Sequence, residues 1–213
     1  MAVYRWKGKL YRSSGKACDR YPVDDNLTDM KINQRGFTLI ELLVVVTIAA
    51  ILMALAVPSF HTLLVKRSVQ GAALALVSDL RFARSEALRR SSPVSICSLA
   101  ANSTSTCSGA PANWANGWMV FADPSNRGTR DAGEEIVRVE QAPTNIASIQ
   151  GAIPPPNSDL SVITFEANGW AKLANQTFIF TPSGSVPANT VRIVCTSLQG
   201  RVRLLAEGAS ACS

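Results

Sequence analysis

The chain is poor in the residues from which most catalytic centres are built. Histidine occurs once, as His61, among 213 residues, and aromatic residues make up only 7%. No G-x-S-x-G, Walker A, H-E-x-x-H or C-x-x-C pattern occurs, so the chemistries those spacings organise have no local footing. The sequence therefore points away from an enzyme, and no cofactor is expected. A strongly cationic exterior is lacking too. Residues 1–36 hold eight of the 21 Lys/Arg and four of the 15 Asp/Glu, which leaves 13 basic and 11 acidic residues for the rest of the chain. Any anion-binding role must rest on a local patch rather than on overall charge.

Two features that could be mistaken for sites are weak. The loop "DPSNRGTRDAGEE" gathers Asp123, Asn126, Asp131, Glu134 and Glu135, but Ser125 and Arg127 stand at the third and fifth positions. That spacing fails the calcium-loop pattern, so a polar hairpin loop is expected and no metal. Asn102-Ser103-Thr104 and Asn175-Gln176-Thr177 match glycosylation sequons by chance.

What the sequence does have is one long apolar run. Among the 21 positions 37–57 only Thr38, Glu41 and Thr47 are polar. At about 1.5 Å per residue this run is roughly 32 Å of helix, the thickness of a bilayer core, and one spanning helix is expected. Lys31 and Arg35 precede the run, which places the N-terminus in the cytoplasm, although Lys66 and Arg67 lie beyond its far end. The run is too long for a secretory signal and no small-residue cleavage site follows. Instead Val69, Ala73, Leu76, Leu80, Ala83 and Ala87 continue at spacings of 4, 3, 4, 3 and 4, one apolar face of an amphipathic helix. Pro58 between the two halves is expected to interrupt the hydrogen bonding and kink the helix.

After Arg90 the pattern changes to short β-branched or aromatic runs: "PVSIC", "GWMVFAD", "EEIVRVE", "SVITFEANGWAKL", "TFIFTPSG", "TVRIVC" and "RVRLLAE". Asn168-Gly169 predicts a hairpin turn, Asn116-Gly117 opens a strand, and "IPPPNSD" is an exposed loop. An antiparallel β domain packed on the C-terminal half of the helix follows, an α+β fold, with Trp114, Trp118 and Phe121 filling the core between sheet and helix.

Cys18 lies on the cytoplasmic side of the span; Cys97, Cys107, Cys195 and Cys212 lie beyond it, where an oxidising compartment would pair them. Three connectivities are open. Proximity favours Cys97–Cys107 and Cys195–Cys212, each closing a short loop worth roughly 3 kcal/mol. Inside the second loop stands "GRVR". On a strand, Arg201 and Arg203 project to the same side, about 7 Å apart, which approximates phosphate spacing along a nucleic-acid strand. Gly200 permits close approach, and Arg192 is a candidate third charge. No aromatic residue is interleaved with them, so base stacking is not expected. The other cluster, Arg81, Arg84, Arg89 and Arg90, has Asp79 and Glu86 nearby, and ion pairing or a solvated face is its expected state.

The stretch Gly36-Phe37-Thr38-Leu39-Ile40-Glu41-Leu42-Leu43-Val44 resembles the processing motif of type IV pilins and type II secretion pseudopilins. "DLRFARSEALRRSSPVSIC", "NWANGWMVFAD", "FEANG", "FIFTPSG" and "VRIVCTSLQGRVRL" resemble the GspH/FimT group of minor pilins and pseudopilins. The resemblance implies a type IV pilin-like fold and cleavage between Gly36 and Phe37 by a prepilin peptidase, with N-methylation of Phe37. It also implies inner-membrane insertion with the C-terminal domain in the periplasm, and assembly with other pilins by an inner-membrane platform. Glu41 becomes the assembly contact, meeting the terminal amine of a neighbouring subunit. Residues 1–36 are then a leader, with 1–29 an upstream-start artefact or disordered extension, since Met30 would open a seven-residue leader. Residues 37–57 form the transmembrane half of the helix, 58–92 its amphipathic half, and 93–213 the β domain. FimT-like members carry a C-terminal Gly-Arg-x-Arg motif associated with DNA binding in natural transformation, which would assign Gly200, Arg201 and Arg203 to DNA; a GspH-like secretion pseudopilin is the alternative.

Overall fold

The computed structural model describes residues 36–109, 113–125, 128–153, 160–173, 175–209 and 211–212, with short backbone pieces at 5–6 and 9–10 and without the side chains of 55 and 57–59. The chain divides into two units, Met1–Ile48 and Ala49–Ser213. In the first, β1 (Arg5–Trp6) and β2 (Lys9–Leu10) pair antiparallel, in a stretch where the sequence showed no periodicity. Met30 and the rest of 1–35 lie outside the described residues, as do Cys18, Asn126, Arg127 and positions 154–159 of the proline loop.

Helix α1 spans Leu39–Arg90. Thr38 caps it, its Oγ1 accepting a hydrogen bond from the Glu41 amide at 3.3 Å and its carbonyl accepting one from Leu42 at 3.1 Å. Helix continues through position 58, so Pro58 removes one donor without ending the element. The other end closes in a Schellman arrangement. Ser92 N–H donates to the Ala87 carbonyl and Ser91 N–H to that of Leu88, with Ser91 at φ 51° and Pro93 following.

The 4,3,4,3,4 stripe is the buried face: Val69, Ala73, Leu76, Leu80, Ala83 and Ala87 are each 0% exposed. It packs on two four-stranded antiparallel sheets. One has the order β5 (Ile136–Gln141), β4 (Gly117–Ala122), β3 (Val94–Ser98), β7 (Val162–Phe165). The other has the order β10 (Val202–Leu204), β9 (Arg192–Thr196), β8 (Gln176–Pro182), β6 (Ile146–Ala152). Strand β6 has no counterpart among the expected strands; it sets two isoleucines among Ala147, Ser148, Gly151 and Ala152. A Cβ on its Gly151 would lie 3.0 Å from the Trp114 indole nitrogen and 2.8 Å from the Leu160 carbonyl. The Asn168-Gly169 turn forms as expected. Its second arm, however, is a single bridge, Phe165 to Ala171, rather than a strand.

Strand alternation corrects one core assignment. Trp114 and Trp118 join the main core with the helix, whereas Phe121 belongs to a second cluster with Cys97, Leu99 and Met119. Positions 118 and 121 are an odd number of residues apart on β4, so they point to opposite faces. The Trp114 indole donates to the Leu160 carbonyl at 2.6 Å and meets the Phe178 ring edge-on, with centroids 4.9 Å apart. The Trp118 indole donates to Asp79 Oδ2 at 2.9 Å, and Arg138 donates to Asp79 Oδ1 at 2.5 Å while lying 4.1 Å over the Phe82 ring.

Near the helix end, hydrogen bonds from Arg89 and then Arg90 hold the Glu86 carboxyl down to about 2 from its ordinary 4.5, against the opposing effect of burial. A depressed folded-state pKa stabilises the fold above about pH 4.5, and this contribution is lost as pH falls through about 2. A Glu86→Gln chain is therefore expected to melt below the parent at pH 6 and to converge on it by pH 2, as followed by melting temperature against pH. A constant gap across that range would contradict the ion-pair account.

Candidate functional site

The β9–β10 hairpin places Gly200, Arg201 and Arg203 together. Arg203 lies level with Cys195 and Val202 with Thr196. Alternation leaves Arg201 and Arg203 exposed while the intervening Val202 is buried. The turn before them is closed by Gly200 N–H to the Ser197 carbonyl at 2.8 Å and Ser197 N–H to the Arg201 carbonyl at 3.0 Å. Gly200 has φ +72°, and a Cβ there would stand 2.4 Å from the Gly169 carbonyl oxygen and 3.0 Å from Arg84 Nε. The position needs glycine both for its left-handed backbone and for the close approach of the neighbouring turn. Cys195 is bonded to Cys212, with Cα atoms 5.9 Å apart, and Thr177 Oγ1 lies 3.1 Å from the Cys212 sulfur. Cys97 is bonded to Cys107, Cα atoms 5.7 Å apart, away from this hairpin in the sequence.

Arg81 and Arg84, expected in ion pairs or on a solvated face, are part of this site instead. Arg84 Nη1 donates to the Gly200 carbonyl at 3.0 Å and Arg81 Nη2 donates to that of Val202 at 3.2 Å. Helix arginines thus grip the backbone of the arginine hairpin, and a groove of about 530 Å³ is lined by Arg81, Arg84, Arg201 and Arg203 together with Gly200 and Leu88. The acids near them in sequence are committed elsewhere: Asp79 to Trp118 and Arg138, and Glu86 to Arg89 and Arg90. A sequence signal existed, since Arg81 and Arg84 directly follow the buried Leu80 and Ala83 and so border the packed face rather than the outer one.

Arg192 does not join them. It lies three residues from Cys195, the partner of Arg203, and that odd separation turns it to the other face of β9. There it is buried and ion-paired with Glu207. The carboxylates of the 123–135 loop are likewise engaged locally. Asp123 accepts from Ser95, Ser125 and the Gly128 amide, and Glu134 accepts from Ser125 and the Asp131 amide.

At the other end of the chain, Gly36 and Phe37 are exposed and non-helical, immediately ahead of the Thr38 cap, and Glu41 is exposed in the first turn of α1. Leu42, Leu43, Val44, Val45 and Val46 are consecutive and all about half-exposed or more, so apolar side chains point in every direction around the helix. Among the described residues no helix is long and apolar enough to cross a membrane; the expected span includes positions 55 and 57, whose side chains lie outside the described residues. His61 is exposed beside Met53, Ala56, Phe60 and Leu64, an apolar surface without a catalytic partner among the described residues.

Residues 72–206 match the family described as Type II transport protein GspH, and residues 31–57 match the prokaryotic N-terminal methylation motif. Pilin-like protein PilA1 of Thermus thermophilus is 29% identical over 176 residues, covering 81% of this chain and 99% of that protein. The solved type IV minor pilin FimU of Pseudomonas aeruginosa is 21% identical, with a TM-score of 0.49 over 69% of this chain and 96% of its own. The minor pseudopilin EpsH from the type II secretion system of Vibrio cholerae is 13% identical, with a TM-score of 0.46 over 68% and 99%. The chain belongs to the GspH family of minor pilins and pseudopilins of the type IV filament class, and is a structural subunit rather than an enzyme.

Proposed function

We propose that this chain is a FimT-like minor pilin that binds DNA non-specifically for uptake in natural transformation. The observation that carries this reading is the groove in which two helix arginines, Arg81 and Arg84, join the exposed Arg201 and Arg203. Contacts to phosphates are sequence-independent and salt-sensitive; neutralising two or three of them corresponds to a slope of about −2 to −3 in log affinity against log salt. The chain is inserted in the inner membrane with its N-terminus cytoplasmic and the β domain periplasmic. The apolar N-terminal part of α1 serves as anchor until assembly into the pilus. The prepilin peptidase cleaves the exposed Gly36–Phe37 bond, and Phe37 is then N-methylated.

A strain carrying Arg201→Gln and Arg203→Gln is expected to lose most transformation while exoprotein secretion is unchanged. The purified full chain should lose DNA binding in parallel. Unchanged transformation and unchanged DNA binding would sink the DNA reading. The family description itself favours the second reading, a type II secretion pseudopilin, and a secretion defect on deleting the gene would promote it.

Glu41 acts after cleavage. Phe37 then becomes a free amine one helical turn from Glu41, and a carboxylate in an apolar helix costs on the order of 2–3 kcal/mol, a cost met by a cation on the neighbouring subunit. Part of its environment is local, because Glu41 sits at the third helical position behind the Thr38 cap, where the helix end favours an anion. A Glu41→Ala chain is expected to insert and be cleaved normally yet to be depleted from sheared filaments on immunoblots. Normal incorporation would count against an assembly role.

A further inference from the structure

We infer that the groove beside Gly200 takes single-stranded nucleic acid, with Trp170 as the platform on which an unpaired base stacks. The inference rests on the DNA-binding reading of the arginine groove and specifies its substrate class. Sequence order separates Trp170 from the arginines by some thirty residues, but the fold brings its turn against theirs. The Gly169 carbonyl stands within 2.4 Å of where a Gly200 Cβ would lie, and the Ala171 amide donates to the Leu198 carbonyl at 2.8 Å. Both chain neighbours of Trp170 are thus tied to the turn that carries Gly200 and Arg201. Leu88 links the two further, since it lines the arginine groove and a Cβ at Gly169 would lie 3.2 Å from its side chain.

Trp170 is 48% exposed, whereas Trp114 and Trp118 are 0% and 1% exposed in the core. Its turn is rigid. Its amide donates to Asn168 Oδ1 at 2.9 Å, its carbonyl accepts from Glu166 at 2.8 Å, and Gly169 N–H donates to the Glu166 carbonyl at 2.8 Å. A half-exposed aromatic residue on a turn held against the arginine hairpin is the pairing that single-strand binding uses: cations track the phosphates and the ring covers a base face. In a duplex those faces are already stacked on one another, so a backbone-directed duplex binder gains nothing from the ring.

The test uses the full chain in detergent micelles, with fluorescence anisotropy of a labelled 20-nucleotide single strand and of the same sequence as a duplex. Trp170→Ala is expected to weaken single-strand binding roughly 5- to 100-fold while changing duplex binding less than about twofold. Trp170→Phe, which keeps a stacking face, should retain most of the single-strand affinity. The emission of buried Trp114 and Trp118 reports whether each variant is folded. Arg201→Gln with Arg203→Gln should weaken both substrates, and if that double variant changes neither, the groove reading itself fails. If the double variant weakens both but Trp170→Ala leaves single-strand binding unchanged, or weakens both substrates equally in a folded chain, the stacking inference is overturned and the groove reading stands.

Discussion

A Gly200→Ala chain should lose roughly 2–4 kcal/mol of stability and, with it, the arginine groove. About 1 kcal/mol comes from placing a side chain at φ +72°. The larger part comes from a Cβ 2.4 Å from the Gly169 carbonyl oxygen, a backbone atom that can move only if its whole turn moves. Shifting that turn also pulls the Gly200 carbonyl from Arg84, so one of the two helix contacts holding the hairpin goes with it. For a chain of this size the loss corresponds to a fall of about 5–15 °C in melting temperature. Gly208→Ala is the matched control. It has φ +80° with nothing within 4 Å of its Cβ, so it should show the backbone strain alone. Equal effects of the two substitutions would refute the close-approach argument.

The Asp79→Ala chain is expected to be destabilised by a similar amount, roughly 3 kcal/mol. Asp79 is 3% exposed and accepts from both the Trp118 indole and Arg138. Its removal leaves a buried indole N–H without an acceptor and a guanidinium without its counter-ion. Arg138 is 41% exposed in its side chain and can turn to water, which keeps the cost below that of a fully buried pair. Asp79→Asn should cost about half as much, because an amide oxygen still accepts from Trp118. A double-mutant cycle with Trp118→Phe measures the pair directly, and additivity of the two single losses would show that the hydrogen bond carries no coupling.

Much of the architecture was legible from one-dimensional pattern. The stripe from Val69 to Ala87 is periodic because a helix repeats every 3.6 residues, and all six positions are buried. Asn168-Gly169 turns because glycine accepts the φ of +78° found there. Strand β6 carries no β-branched or aromatic run, because Ile146 and Ile149 are set among Ala147, Ser148, Gly151 and Ala152. At Gly151 the lack of a side chain is required by the Trp114 indole, a partner more than thirty residues away. The groove was half legible: the pleat puts Arg201 and Arg203 on one side whatever surrounds them, but nothing local to either arginine reveals Trp170.

The long helix with its apolar stripe, the processing motif around Thr38, the β-rich half and the arginine pair are legible in the chain alone, because each depends on neighbours within a turn or a pleat. The packing of the helix on the sheets set the rest. It put Phe121 with Cys97, Leu99 and Met119 and paired Arg192 with Glu207. It drew Arg81 and Arg84 onto the carbonyls of a hairpin more than a hundred residues later. The pleat sends Phe121 and Arg192 to the faces opposite Trp118 and Arg203, but which partners wait on those faces is set by how sheets and helix pack. A backbone carbonyl or a counter-ion is a partner of no particular sequence distance, and which one a guanidinium meets depends on how the helix lies across the sheets.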